Sequence, residues 1–381
     1  MKIALPDAKG VLTDHWMSGN AIAPAKLGPN PARIIYAAAH VVADPYADRD
    51  PMGGGAIDWR KTLDFRHYLA GFGLGIAEAM DTAQRGMGLD WPRALDLIRQ
   101  TKAELPDALI ANGCGTDHLG PGPHSLDEVR AAYLQQVDAI QALGGRIILM
   151  ASRALVQAAR GPEDYISVYS SVLAACDHKV ILHWLGDMFD PALTGYWGAT
   201  SFAPALETAL EVISANVNKV DGIKISLLDK DKEIAMRRRL PEGVKMYTGD
   251  DFNYPDLIQG DETSHSHALL GIFDPLAPAA ALAIHHLNTG EITQFRAALD
   301  PTVPLARLIF RAPTQFYKTG VVFLAWLNGF QDHFIMLGGA QSMRPLPYFT
   351  DIFRHADACG LLIDPDLAMH RMRRLLAMHG V

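Results

Sequence analysis

The chain alternates between short runs of unbroken apolar residues and longer amphipathic segments. Eight apolar runs can be separated, at residues 32–39, 74–80, 108–112, 146–152, 179–185, 220–226, 244–249 and 267–273. Continuous rather than alternating hydrophobicity is what a strand buried on both faces requires, as in a parallel sheet covered by helices. Two of the intervening segments carry helix signals. Residues 58–72 set Leu63, His67 and Tyr68 on one helical face behind Asp58 as the cap. Residues 125–143 open on Ser125 with Glu128 three places on, a capping box, and then repeat Val129, Ala132, Tyr133, Val137 and Ile140 at helical spacing. Eight strands, each followed by a crossover-length segment, predict an α/β fold closed as a (β/α)8 TIM barrel. An open doubly wound sheet is the alternative. Against it, the first strand leads into the long loop 40–57, whose "MGGG" lacks the glycine spacing of a dinucleotide turn and reads as a turn or lid. Beyond about residue 290 the pattern is helical only. The expected organisation is a lead-in segment 1–31, a barrel 32–290 and a C-terminal helical extension 291–381.

Composition narrows the function more than the fold. A net charge of −8 gives no support to nucleic-acid binding, which calls for clustered Lys and Arg. No apolar stretch reaches the roughly 18 residues of a membrane span; residues 320–330 come nearest. The N-terminus shows no signal-peptide apolar run, so a cytoplasmic protein is expected. Cys114, Cys176 and Cys359 match no metal or redox spacing and are expected as free thiols. The aromatic run 323–330 is expected to pack on the barrel rather than to form an interface.

Barrels of this kind carry their chemistry at the C-terminal ends of the strands. Strand by strand, the candidates are Asp81 and Thr82, Asn112 and Cys114, Ser152 and Arg153, His183, Lys224, Asp250 and Asp251, and His265 and His267. Lys224 stands out, held between Ile223 and Ile225 in "DGIKIS". Desolvation lowers an amine's pKa, and the neutral amine can attack a carbonyl to form a Schiff base. Read alone, a strand lysine is equally explained by snorkelling or by an ion pair.

Residues 57–347 resemble the dihydrodipicolinate synthase/N-acetylneuraminate lyase superfamily of class I aldolases. "DGIKIS" reproduces the context of that family's Schiff-base lysine on the sixth strand, and "VKMYTGDD" (244–251) follows at a compatible distance with Thr248 in place of serine. Residues 57–93 track the family's first helix, second strand and following loop, and "FYKTGVVFLAWLNGF" with "GGAQSMRPLPY" resembles its late helix and the segment after it. The resemblance implies Lys224 as nucleophile, no metal or organic cofactor, a small-molecule carbonyl substrate and a homo-oligomer, dimer or tetramer. Three departures accompany it. His183 stands where the family has its proton-shuttling tyrosine, and imidazole can relay protons. The carboxylate-binding loop becomes "DTAQRG" (81–86), in which Thr82 keeps one hydroxyl, while Asp81 and Ala83 replace a glycine and the second hydroxyl. A hydroxyl-rich substrate, such as a keto-sugar derivative, would suit Asp81 and Gln84 better than a carboxylate. The strand-four tyrosines give way to "SRAL" (152–155), where Arg153 either binds an anion or caps a helix.

The leading expectation is therefore an imine-forming lyase, aldolase or hydro-lyase, with Lys224 and His183 catalytic. Asp81, Thr82, Asn112, Arg153, Asp250 and His267 are the expected substrate-binding residues. A second reading is a metal-dependent barrel isomerase or lyase drawing on His265, His267, His183, Asp250 and Asp251. A third is a sugar-binding relative without catalysis.

Overall fold

The computed structural model describes all 381 residues. Its centre is a closed barrel of eight parallel strands that follow one another in sequence order, the last pairing with the first; a hairpin of two earlier strands precedes them. The strands are β3 (Ile35–Ala38), β4 (Gly75–Glu78), β5 (Ile110–Cys114), β6 (Arg146–Leu149), β7 (Val180–Leu185), β8 (Val220–Ser226), β9 (Lys245–Thr248) and β10 (His267–Leu270). Each falls within or overlaps one of the eight apolar runs, and the fold is the TIM barrel that their count predicts.

Side-chain parity sorts every strand into two faces. Tyr36, Ala38, Ala77, Ala111, Ile148, Ile181, Tyr247 and Leu269 fill the barrel interior. Ile223 and Ile225 belong instead to the layer between sheet and helices. With a period of two, Lys224 and Ser226 therefore face inward, as does His183, whose neighbours Leu182 and Trp184 lie in the outer layer.

The helix Leu126–Ala142 has both halves of the capping box between Ser125 and Glu128. The helix Trp59–Gly71 is capped by Asp58 as expected, but its buried face differs from the expected one. Thr62, Phe65, Arg66 and Leu69 are inside, and His67 is exposed. A buried arginine hides the true stripe from a hydrophobic reading. Arg66 is tolerated there because its guanidinium grips Glu78, 3.0 Å from Nε to Oε2 and 2.8 Å from Nη2 to Oε1, with both side chains fully buried.

The first residues also differ from an extended lead-in. Lys2–Pro6 (β1) and Leu12–Trp16 (β2) form an antiparallel hairpin. It is tied to the C-terminal helices by Thr350, which donates to the Pro6 carbonyl, and by Asp357, which accepts from Ser18. After residue 290 the chain is helical, and the helix Tyr317–Leu327 is buried along its whole length. The aromatic run thus packs within the molecule. All three cysteines are free, and no helix is long and apolar enough to cross a membrane.

Candidate active site

Lys224 and His183 lie side by side. They are register partners on adjacent strands, and both point into the barrel near its C-terminal mouth. Only 7% of Lys224 is exposed. Burial drives its pKa down toward the neutral amine, while the charges of Asp251 and Asp81 oppose that fall. Burial likewise raises the Asp251 carboxyl far above the carboxylate range, against the pull of Lys224 and of the Ile272 N–H that Asp251 accepts at 2.9 Å. Burial thus disfavours the charged form of both groups, and each opposes the other's shift through its charge.

His183 is almost completely buried. Desolvation, and then the Lys224 charge, hold its imidazole neutral. Its Nε2 lies 3.2 Å from Ser226 Oγ, and its Nδ1 is buried with no partner. Ser226 was missed by reading strand ends, yet it stands two residues after Lys224 and so must share its face. Gly249 explains how the lysine is accommodated. A Cβ there would sit 2.3 Å from Ser226 Oγ, 2.6 Å from the Ile225 carbonyl oxygen and 2.8 Å from Lys224 Cε.

Beside His183 a cavity of about 460 Å³ opens over the ends of β4 to β7. His183, Asp81 and Arg153 line it, with Thr116 and Ser152 bonded to each other at 2.6 Å. Only six of its 21 lining residues are hydrophobic, so it suits a polar ligand. One wall is fixed by Arg85, which meets Asp117 through two 2.7 Å bonds and also donates to Gln136. Thr82 lies behind Asp81, with its hydroxyl 2.8 Å from that of Tyr317. Gln84 is not available to a ligand, because its amide holds the Leu337 and Met87 carbonyls. Arg153 reaches the cavity while its Nε pairs with Asp190 at 2.5 Å.

Three expected substrate contacts stand apart from this site. Asn112 points outward into the helix layer, since Ala111 takes the inward position on β5, and it donates to the Arg146 carbonyl at 2.9 Å. Asp250 follows β9 with the outward parity and is spent on structure. It accepts from the N–H groups of Phe252 and Asn253 and from Asn253 Nδ2. The next residue, Asp251, is the one whose charge acts on Lys224. His267 opens β10 and so sits at the N-terminal end of the barrel, accepting from the Ile34 N–H with the Tyr247 ring 5.5 Å away. His265 is beside it, at 5.4 Å between rings. These two histidines cannot share an ion with His183 or Asp251 at the opposite end, and no three His, Cys, Asp or Glu side chains are grouped as a metal site.

Comparisons with known proteins agree with the barrel. The family described as "Protein of unknown function (DUF993)" matches residues 3–381. No curated protein matches the sequence. Among solved structures, the 4-hydroxy-tetrahydrodipicolinate synthase of Methylacidiphilum fumariolicum SolV superposes with a TM-score of 0.64 at 14% identity, covering 90% of this chain and 99% of its own. The dihydrodipicolinate synthase of Acinetobacter baumannii, solved in complex with pyruvate, gives 0.63 at 16% identity over 87% of this chain and 100% of its own. The Bacillus anthracis enzyme gives 0.60 at 15% identity, covering 80% and 91% respectively. At these identities the likeness is one of fold.

Proposed function

The chain belongs to the DUF993 family, and from that premise we propose that it is a Schiff-base-forming lyase or aldolase acting on a small, polar carbonyl compound. The observation that carries the reading is the pair of inward, register-matched side chains, an amine whose pKa burial lowers beside an imidazole that burial keeps from charging. Neutral Lys224 attacks the substrate carbonyl, and the carbinolamine then loses water to give an iminium ion. The iminium draws electrons from a bond at the adjacent carbon: either a C–C bond there breaks, leaving an enamine, or that carbon loses a proton and the enamine so formed expels a β-hydroxyl. His183, through its free Nδ1 or the Ser226 hydroxyl, takes and returns the protons of these steps. Asp251 accepts the proton that Lys224 must lose. Asp81 and Arg153 face the cavity and orient the polar groups of the substrate. Enzymes of this fold include one solved with pyruvate bound; here the rebuilt loop at Asp81 points to a more hydroxylated partner.

The test is chemical trapping. With a panel of 2-oxo acids and keto sugars, borohydride should fix one ligand covalently on the wild-type chain, and Lys224→Arg should abolish it. His183→Phe should slow trapping by roughly 10²- to 10⁴-fold, the usual worth of a positioned general acid or base. If no carbonyl compound is ever fixed, the imine reading fails.

A further inference from the structure

The mouth of the barrel holds a second buried amine. Lys318 lies on the first turn of the helix Tyr317–Leu327 and is 5% exposed. It pairs with no carboxylate. Its Nζ donates to the Gln315 carbonyl at 3.1 Å and otherwise meets only Met87 Sδ at 3.5 Å, above the face of Tyr317. An ammonium has three donors and is expensive to bury with weak acceptors alone. The same side chain lines a smaller cavity of about 150 Å³, which adjoins the main one through Asp81, Arg153 and Asp190.

Asp81 also lines this cavity and makes no side-chain hydrogen bond, so an anion must sit on the Lys318 side, away from it; the remaining charged groups sort into spent and unspent. Asp190 is occupied by Arg153 and by the Ala192 N–H. Arg85 is occupied by Asp117 and Gln136. Arg153 uses only its Nε, so its two terminal amino groups remain to donate. The start of an 11-residue helix adds the partial positive charge of its first turn. Burial lowers the Lys318 pKa to about 8, partly opposed by Asp81, which leaves the amine protonated at neutral pH.

We propose that this smaller cavity is an anion subsite, in which Lys318 and the free amino groups of Arg153 bind a carboxylate or phosphate. Its volume accommodates such a group. The site deepens the Schiff-base reading: a substrate whose carbonyl reaches Lys224 would carry its negative charge at the far end, beyond Asp81. The resemblance to known enzymes suggests a carboxylate cradle in the 81–86 loop; here the anion is held instead by the C-terminal helix.

The anion site can be tested without any carbonyl compound, so its outcome is independent of imine formation at Lys224. Inorganic phosphate and malonate are each titrated calorimetrically into wild type, Lys318→Met and Arg153→Met. Wild type should bind at least one of the two, and the preferred anion identifies phosphate or carboxylate as the natural group. Lys318→Met should weaken that binding roughly 10- to 100-fold, the worth of charge-assisted hydrogen bonds. Arg153→Met, at an exposed position that leaves folding intact, should weaken it several-fold and keeps the test decisive if Lys318→Met does not fold. Absence of binding by wild type, or equal affinities in a folded Lys318→Met or in Arg153→Met, would overturn the proposal.

Discussion

Gly249 offers the most direct structural test of how Lys224 is held. An alanine there puts its methyl carbon 2.3 Å from Ser226 Oγ, 2.6 Å from the Ile225 carbonyl oxygen and 2.8 Å from Lys224 Cε. All three are inside the closest approach of real carbon atoms. The Ile225 oxygen cannot yield, because it accepts the Gly249 N–H in a 2.9 Å bond that joins β8 to the loop after β9. The strain therefore falls on Ser226 and on the end of the Lys224 side chain. Overpacking of this kind costs about 1–3 kcal/mol. With 381 residues and roughly 2.1 cal/mol/K of unfolding entropy per residue, that corresponds to about 1–4 °C in Tm. The effect on chemistry should be larger than the effect on stability, since a displacement of about 1 Å can cost 10²-fold in rate. The assay is borohydride trapping with the carbonyl compound that labels wild type, alongside thermal denaturation. Gly75→Ala is the control. Its methyl would meet the Tyr36 ring at 2.7 Å and Leu109 at 3.1 Å, on β4 away from Lys224, so it should cost similar stability and keep trapping. Gly249→Ala that traps as fast as wild type would refute the placement of the amine.

Further outcomes follow from the buried charges. Arg66→Met leaves Glu78 buried without its cation and should cost about 3–5 kcal/mol, roughly 4–6 °C in Tm; Arg66→Met with Glu78→Leu should recover most of it. A single variant losing less than about 1 °C would show that the pair is not structural. Asp251→Asn removes the charge that holds the Lys224 pKa up, so more neutral amine is present at low pH, and the acid limb of trapping should move to lower pH. Asp250→Ala should leave that limb in place and cost about 1 kcal/mol through its lost turn bonds. Burial raises the Glu233 carboxyl to about 8, so it opposes folding increasingly as pH rises from its unfolded value near 4.5 toward 8. Glu233→Gln should therefore gain in Tm over wild type between pH 5 and pH 8, and a constant gap would contradict that assignment.

The barrel was legible because its strands are buried on both faces and read as unbroken apolar runs; β8 coincides with residues 220–226. The hairpin was not, because β2 is mostly exposed and carries no hydrophobic signature. Within the site, legibility followed parity. Lys224 and His183 stand at strand ends and do occupy inward positions. Strand ends alone also single out Asn112 and Asp250, but the inward position on β5 belongs to Ala111 and the inward one after β9 to Asp251. His267 reads as a residue near the mouth, although it opens its strand. Lys318 and Tyr317 could not be reached by any count of strands. They come from the C-terminal extension, and only tertiary folding lays that helix against Asp81 and Thr82.

Two depressed amines now stand at one mouth, so the decisive measurement must say which of them reacts. Wild-type protein is reduced with borohydride in the presence of the labelling carbonyl compound, digested, and mapped by mass spectrometry. One ligand increment is expected, on the peptide carrying Lys224, with Lys318 unmodified. An increment on Lys318, or none on either lysine across the 2-oxo acids and keto sugars, would contradict it.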